Sequence, residues 1–300
     1  MSYLINIKNN REITVGQLLE SRFVPEDTCL SGGGSRELPL ENFSRLYLLN
    51  ESSRGVVLTI TEEEYIVELN IGASAADYLL AARLAMAIAE INQAVIFPDF
   101  DDELSLNEFE SKYDENWAHL SRLSGVDSFL KHLVQKSGTV KLPGCIRGFY
   151  FGSYMLDKLC YDNPNEELFT DRVIEEIKKV QFIEQQVENL EVPTLMDANF
   201  PDGVKTVLVI LPGYKLLVQK SDYIILRAGG KISKIDYEKF INYELLSLDR
   251  LDEEQYILQP IQNEVYMSMM DFFLEISDKP IETEPEVQHP ANRWWQFWKK

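Results

Sequence analysis

At 300 residues, with 45% hydrophobic and 26% charged residues, the chain is long enough to bury a substantial core and too apolar for wholesale disorder. Its 29 Lys and Arg stand against 49 Asp and Glu, a net charge of −20, which repels phosphate backbones and anionic lipid and argues against nucleic acid as a partner. Three scattered cysteines, Cys29, Cys145 and Cys160, read as reduced thiols, and no apolar run reaches the ~20 residues a membrane helix needs.

The opening Met-Ser-Tyr-Leu-Ile-Asn-Ile-Lys alternates like a strand and lacks the apolar run of a signal peptide, so the expected location is cytoplasmic. Tyr3, Ile5 and Ile7 share one face; Lys8–Arg11 then turns the chain toward Ile13 in an expected hairpin. Thr14 stands as the N-cap of a short helix carrying Val15, Leu18 and Leu19. From Pro25 to Pro39 the periodicity vanishes. Leu30-Ser31-Gly32-Gly33 shares four letters with the signature of ABC-transporter ATPases, but no phosphate-cradling G-x-x-x-x-G-K-[ST] loop accompanies it, and no nucleotide site is expected.

Arg54 to Pro98 carries the strongest signal in the chain. Val56, Leu58 and Ile60 share a strand face, as do Tyr65, Val67, Leu69 and Ile71 after a polar turn. Gly72 breaks the run, and Ser74 with Asp77 matches a helix-capping pattern, the acid lying near the positive end of the helix dipole. The helix runs to about Asn92 and is apolar almost all round. Arg83 and Glu90, seven residues apart, fall within ~20° of each other on the helical wheel, so only a narrow stripe can face water. Val95, Ile96 and Phe97 return as a strand. This ββαβ unit with a buried helix is scaffold.

Asp99 to Glu115 is densely acidic, relieved only by Lys112. Asp127–Lys136 reads as a helix stopped by Gly138, and Cys145–Met155 as a strand or strand-turn-strand. Val173, Ile177, Val180, Ile183, Val187 and Leu190 line one face of a helix from Glu166 to Leu190. Beyond Val204, runs at Val207–Leu211, Tyr214–Val218, Tyr223–Leu226 and Lys231–Ile235 are separated by short turns, the pattern of an antiparallel meander. Asp236 can cap a short helix. Ile261, Val265, Met269, Phe272 and Ile276 form one face of a last amphipathic helix. Residues 278–292 are rich in Pro and Glu and read as flexible.

Two stretches are candidate sites. With Asp99 as position 1, oxygen ligands fall at positions 1, 3, 5, 7, 9 and 12 through Glu110, the spacing of an EF-hand calcium loop, but position 6 is Leu104 where a sharp turn needs Gly. Asp99, Asp101, Glu103 and Glu110 are therefore the candidate ligands for calcium or magnesium; otherwise no cofactor is expected. The end of the chain, Arg293-Trp-Trp-Gln-Phe-Trp-Lys-Lys300, places Trp294, Trp295, Phe297 and Trp298 among basic residues, which suits a protein groove, a membrane interface or docking on its own domain. His119 and His132 have no zinc-like spacing, and Ser153 lacks the second glycine of G-x-S-x-G. No catalytic residue is assigned.

The order of the opening strand, Ile13-Thr14-Val15-x-x-Leu18-Leu19, Ser53-Arg54-Gly55 before a hairpin, and Ser74-x-x-Asp77-Tyr78 opening an alanine-rich helix resembles a family of bacterial proteins of about this length. That family is known only as a domain of unknown function. The resemblance covers the first third of the chain. It implies a cytoplasmic bacterial protein and carries over no functional residue.

The sequence therefore predicts an α+β protein. Residues 1–192 form an N-terminal domain on the ββαβ core, residues 193–277 an antiparallel meander capped by an amphipathic helix, and residues 278–300 a tail with an aromatic basic end. The leading function is a non-enzymatic protein interaction, with an acidic face covering a basic partner as in antitoxin-like or immunity proteins. The alternative is a carboxylate-dependent enzyme or metal-binding protein using residues 99–110.

Overall fold

The computed structural model describes residues 2–31, 33, 35–124, 126–159, 166–200 and 203–276. The chain divides into two compact units, Met1–Ile183 and Glu184–Lys300. The division falls earlier than the expected 192, because residues just before that point already pair with the second unit. The α+β class is as the sequence predicted.

In the first unit, β1 (Ser2–Lys8) leads through α1 (Val15–Leu19) to β2 (Thr28–Ser31), β3 (Ser44–Leu48), β4 (Val56–Ile60) and β5 (Glu64–Asn70). Helix α2 (Ala75–Asn92) and strand β6 (Ile96–Pro98) follow. All six strands form one antiparallel sheet in the order β2-β3-β4-β5-β1-β6. Val56, Leu58, Tyr65, Val67 and Leu69 point into the core as their alternation requires, and Ile5 and Ile7 join them. The hairpin expected after β1 does not form. Both edges of β1 are taken by β5 and β6, and the stretch before Ile13 is held instead by Tyr65, whose hydroxyl donates to Arg11 O at 2.9 Å and accepts from Ile13 N at 3.1 Å.

Helix α2 lies against this sheet. Thr14 and Ser74 both form full capping boxes, and α2 ends at Gln93 in the left-handed conformation. Every α2 side chain from Leu80 to Ala89 is buried except Arg83, and Glu90 reaches solvent to pair with Arg22 at 2.8 Å. The narrow wet stripe implied by the seven-residue spacing is the one observed. No helix among the described residues is long and apolar enough to cross a membrane.

The unit continues with α3 (Leu106–Lys112), α4 (Glu115–Ser121), α5 (Val126–Ser137), a hairpin of β7 (Val140–Pro143) and β8 (Gly148–Phe151), α6 (Ser153–Lys158) and α7 (Glu166–Gln181). The strand expected to run on to Met155 stops at Phe151. The helix expected from Glu166 to Leu190 breaks at Phe182, continues briefly as α8 (Ile183–Gln186), and gives way to β9 (Leu190–Glu191). Its apolar face is buried at Val173, Ile177, Val180 and Ile183 and is lost at Val187, where the chain has entered the second unit.

The second unit contains β10 (Met196–Phe200), β11 (Gly203–Ile210), β12 (Lys215–Val218), β13 (Tyr223–Ala228), β14 (Lys231–Asp236), α9 (Tyr237–Ile241), β15 (Leu248–Arg250), β16 (Tyr256–Leu258) and α10 (Asn263–Ile276). The four expected strands exist, but they are not a meander. β12 leaves to form a second sheet in the order β15-β16-β12-β9, and β11 and β13 become parallel neighbours in β10-β11-β13-β14. Leu216, Leu217 and Val218 are buried in succession, so β12 has no wet face and fits only where it is covered on both sides. Tyr266 on α10 bridges the parallel pair: its hydroxyl donates to Ile210 O and accepts from Arg227 N, each at 2.8 Å. On α10 the buried set is Tyr266, Met269, Met270 and Phe273, so Phe272, expected on the core face, is 44% exposed.

Candidate functional site

Two places in the first unit concentrate polar chemistry. The first is built by the capping residue of α2. Asp77 is fully buried and gathers the loop before β4: its Oδ2 accepts from Ser53 N at 3.0 Å, Arg54 N at 3.1 Å and Ser74 N at 2.9 Å, and its Oδ1 accepts from Gly55 N at 3.0 Å. The Ser53 hydroxyl lies 2.7 Å from Gly72 O and 3.0 Å from Asp77 Oδ2, with one proton to share. Gly55 sits at φ 66°, and a Cβ there would stand 2.8 Å from Leu46 O, so turn and close approach both require glycine.

The β7–β8 hairpin closes over this loop. Arg54 donates to Pro143 O and Ile71 O, Arg45 donates to Gly144 O, and Cys145 N donates to Ser53 O at 3.4 Å. Gln181, fully buried at the end of α7, accepts from Ile146 N and Arg147 N at 2.9 Å each, while its Nε2 has no hydrogen-bond partner among the described residues. Burial, with Arg45 nearby, pulls the Arg54 guanidinium down to about 10, and burial followed by the charge of Asp77 pushes the Cys145 thiol up to about 12. The carboxylate beside Ser53 is already occupied by four backbone amides, and the Cys145 thiol is buried and protonated. This arrangement is a clasp that fixes one loop against the sheet.

The second place is the turn after β6. The stretch read as a calcium loop is divided: Leu106 onward is helix α3, capped by a box in which Glu108 faces Ser105. Asp99 Oδ2 accepts from Leu4 N at 2.8 Å and so extends the β1–β6 pairing. Asp101 is held by Lys112 Nζ at 2.5 Å and by the Tyr113 hydroxyl, and these hydrogen bonds keep its carboxyl below the usual range. Glu103 and Glu110 are exposed, the latter on α3. The structure does not bring these four acids together, and among the described residues no group of three or more His, Cys, Asp or Glu side chains is placed to hold a metal.

What the turn does assemble is aromatic. Phe100 sits at φ 67° and is 95% exposed, with Val95 and Phe97 partly exposed nearby in sequence. From its ring a chain of contacts runs inward: Tyr3 at 6.2 Å, Trp117 at 5.7 Å from Tyr3, and Tyr78 and Tyr113 at 5.4 and 4.7 Å from Trp117. Tyr113 stacks on Phe109 at 4.1 Å. The Tyr3 hydroxyl donates to Asp99 O at 3.1 Å and lies 3.0 Å from that of Tyr113; burial pushes Tyr3 up to about 12 and raises Tyr113 as well. Beside Tyr113 opens a hollow of about 340 Å³, lined by Leu79, Arg83 and Met86 of α2, by Asp114, which caps α4, and by Glu115 of α4.

Sequence reasoning saw the acids of this region and missed its rings. The signal was present: Phe109, Tyr113 and Trp117 recur every four residues through the acidic run and just past it. Trp294, Trp295, Phe297 and Trp298, the candidate partner-binding residues, lie outside the described residues. No curated protein and no solved structure matches the chain. A family model does match, over residues 2–186 and so over the whole first unit, well beyond the first third in which the resemblance was visible. The chain belongs to the family described as a domain of unknown function, DUF4299.

Proposed function

We propose that the DUF4299 unit binds a basic protein segment at the aromatic turn after β6, with Phe100 as the anchor. One observation carries the reading: a bulky residue is held in left-handed backbone with its ring in water at the head of a run of aromatic contacts. That conformation costs a residue bearing a Cβ roughly 1–2 kcal/mol, and no burial of the ring offsets it within this unit. Backbone strain of this kind concentrates at ligand contacts. Tyr3 beside Phe100, and Trp117 behind Tyr3, supply the ring types that dominate binding energy at interfaces.

The flanking acids set the sign of the partner. Asp102 and Glu103 are exposed on the turn, and Asp114 and Glu115 line the hollow. The net charge of −20 speeds the approach of a cationic surface. On this reading the protein acts without catalysis, as antitoxin-like or immunity proteins do when an acidic face covers a basic partner. The proposed setting is a bacterial cytoplasm, where free thiols such as Cys29 and Cys145 stay reduced.

Selection of displayed random peptides on the full chain tests this. Selected peptides should carry net positive charge and an apolar anchor, and Phe100→Gly should weaken them at least about tenfold, or ~1.4 kcal/mol. Phe43→Gly is the control, since Phe43 is also left-handed, at φ 62°, and 72% exposed. Neutral or acidic selected peptides, or equal binding by Phe100→Gly, would overturn the proposal.

A further inference from the structure

The second unit carries an aromatic hollow that its described residues leave open. Tyr243, just after α9, meets α10 with its ring 5.7 Å from Phe272 and 5.4 Å from Phe273. Around these three rings, with Leu245, Lys239 and Glu244, lies a space of about 580 Å³. That is the size of a pocket which engulfs a small organic ligand. Its wall is apolar and wet: Leu245 is 63% exposed, and Phe272 is the α10 side chain that the amphipathic pattern had assigned to the core.

We propose that this hollow is the docking site of the chain's own C-terminal aromatic segment, Trp294–Trp298. Reach is the first argument. Helix α10 ends at Ile276, four residues or ~6 Å beyond Phe272. Trp294 follows Ile276 by eighteen residues, a length of chain that spans at most ~60 Å. The tether therefore holds the rings near the hollow at an effective concentration on the order of millimolar, so even weak contact keeps the site occupied.

Chemistry is the second argument. Trp294, Trp295, Phe297 and Trp298 make four of the last seven residues of the chain aromatic. Three rings already line the hollow, and offset or edge-on packing of further rings suits such walls. Arg293, Lys299 and Lys300 bracket the segment with three positive charges; Glu244 at the hollow and exposed Glu275 on α10 supply the opposite sign, while Lys239 at the hollow is paired with Asp236 and Asp271 with Lys231.

The tryptophan inventory makes the proposal easy to test in the full chain. Of the four tryptophans only Trp117 lies outside the tail, so in Trp117→Phe the fluorescence reports the tail alone. Expected are a blue-shifted emission and acrylamide quenching several-fold weaker than for a synthetic peptide of residues 290–300. Phe272→Asp or Leu245→Asp, both at exposed positions, should restore the peptide's emission and quenching while the far-ultraviolet circular dichroism stays unchanged. Tail tryptophans quenched like the free peptide, or insensitive to both substitutions, would overturn the proposal. A blue shift that grows with protein concentration alongside dimer sedimentation would overturn docking within one chain and assign the hollow to a second copy's tail.

Discussion

Asp77 and the eight acids between Asp99 and Glu115 belong to the same unit and do opposite things. Asp77 stands alone in sequence among small and apolar residues, is fully buried, and joins the Ser53–Gly55 loop to the start of α2 through five donor groups. The eight acids are dense in sequence and dispersed in space: one extends a strand pairing, one holds Lys112 and Tyr113, two cap helices and the others meet solvent or the hollow. Density of charge along the chain does not make a site. Convergence in a place without water makes a fixed structure, because there a backbone donor has no water to turn to.

The largest test of that contrast is Asp77→Ala. It leaves the amides of Ser53, Arg54, Gly55 and Ser74 without an acceptor. At about 1–3 kcal/mol for each buried unpaired donor, the loss should be ~4 kcal/mol or more, close to the whole stability of a marginal domain. Asp101→Ala, which removes a partly exposed ion pair and one acceptor of the Tyr113 hydroxyl, should cost only about 1–2 kcal/mol. Urea unfolding followed by circular dichroism compares the two, and equal losses would break the contrast.

A smaller effect of opposite sign is expected at Phe100. Phe100→Gly removes a ring from water and relieves a left-handed residue, so it should stabilise the fold by about 1 kcal/mol while weakening peptide binding. A loss of stability instead would make Phe100 a packing residue and remove the argument from strain. The smallest effect concerns metal. Millimolar calcium or magnesium should leave the melting temperature where it is, whereas a site occupied at 100 times its dissociation constant would add about 2.7 kcal/mol.

How far the sequence was legible follows the same division between near and far. The ββαβ unit, its capping box and the narrow wet stripe of α2 depend on spacings of two, three, four and seven residues, so alternation and periodicity disclosed them. Ser74 and Asp77 were recognisable as a helix cap. The remaining donors to Asp77 come from Ser53, Arg54 and Gly55, more than twenty residues away, and nothing local announces them. Gln181 gave a faint warning by standing four residues beyond Ile177 on the buried stripe of α7, yet only the fold supplies the Ile146 and Arg147 amides that it accepts.

Strand existence and strand pairing separate in the same way. The four strands from Val207 to Ile235 were readable from composition and turns, and the uninterrupted apolar run of β12 hinted that it was covered on both sides. That β12 joins β9 and β16, leaving β11 and β13 parallel, was settled by which sheet could bury both its faces. The sequence by itself thus determined the elements, their caps and the sign of the molecule's field, since each depends on neighbours along the chain. Only the tertiary structure decided which acids are paired, that Asp77 holds a clasp, and that Phe100 and Phe272 stand in water, because burial belongs to the packed whole and to no single stretch.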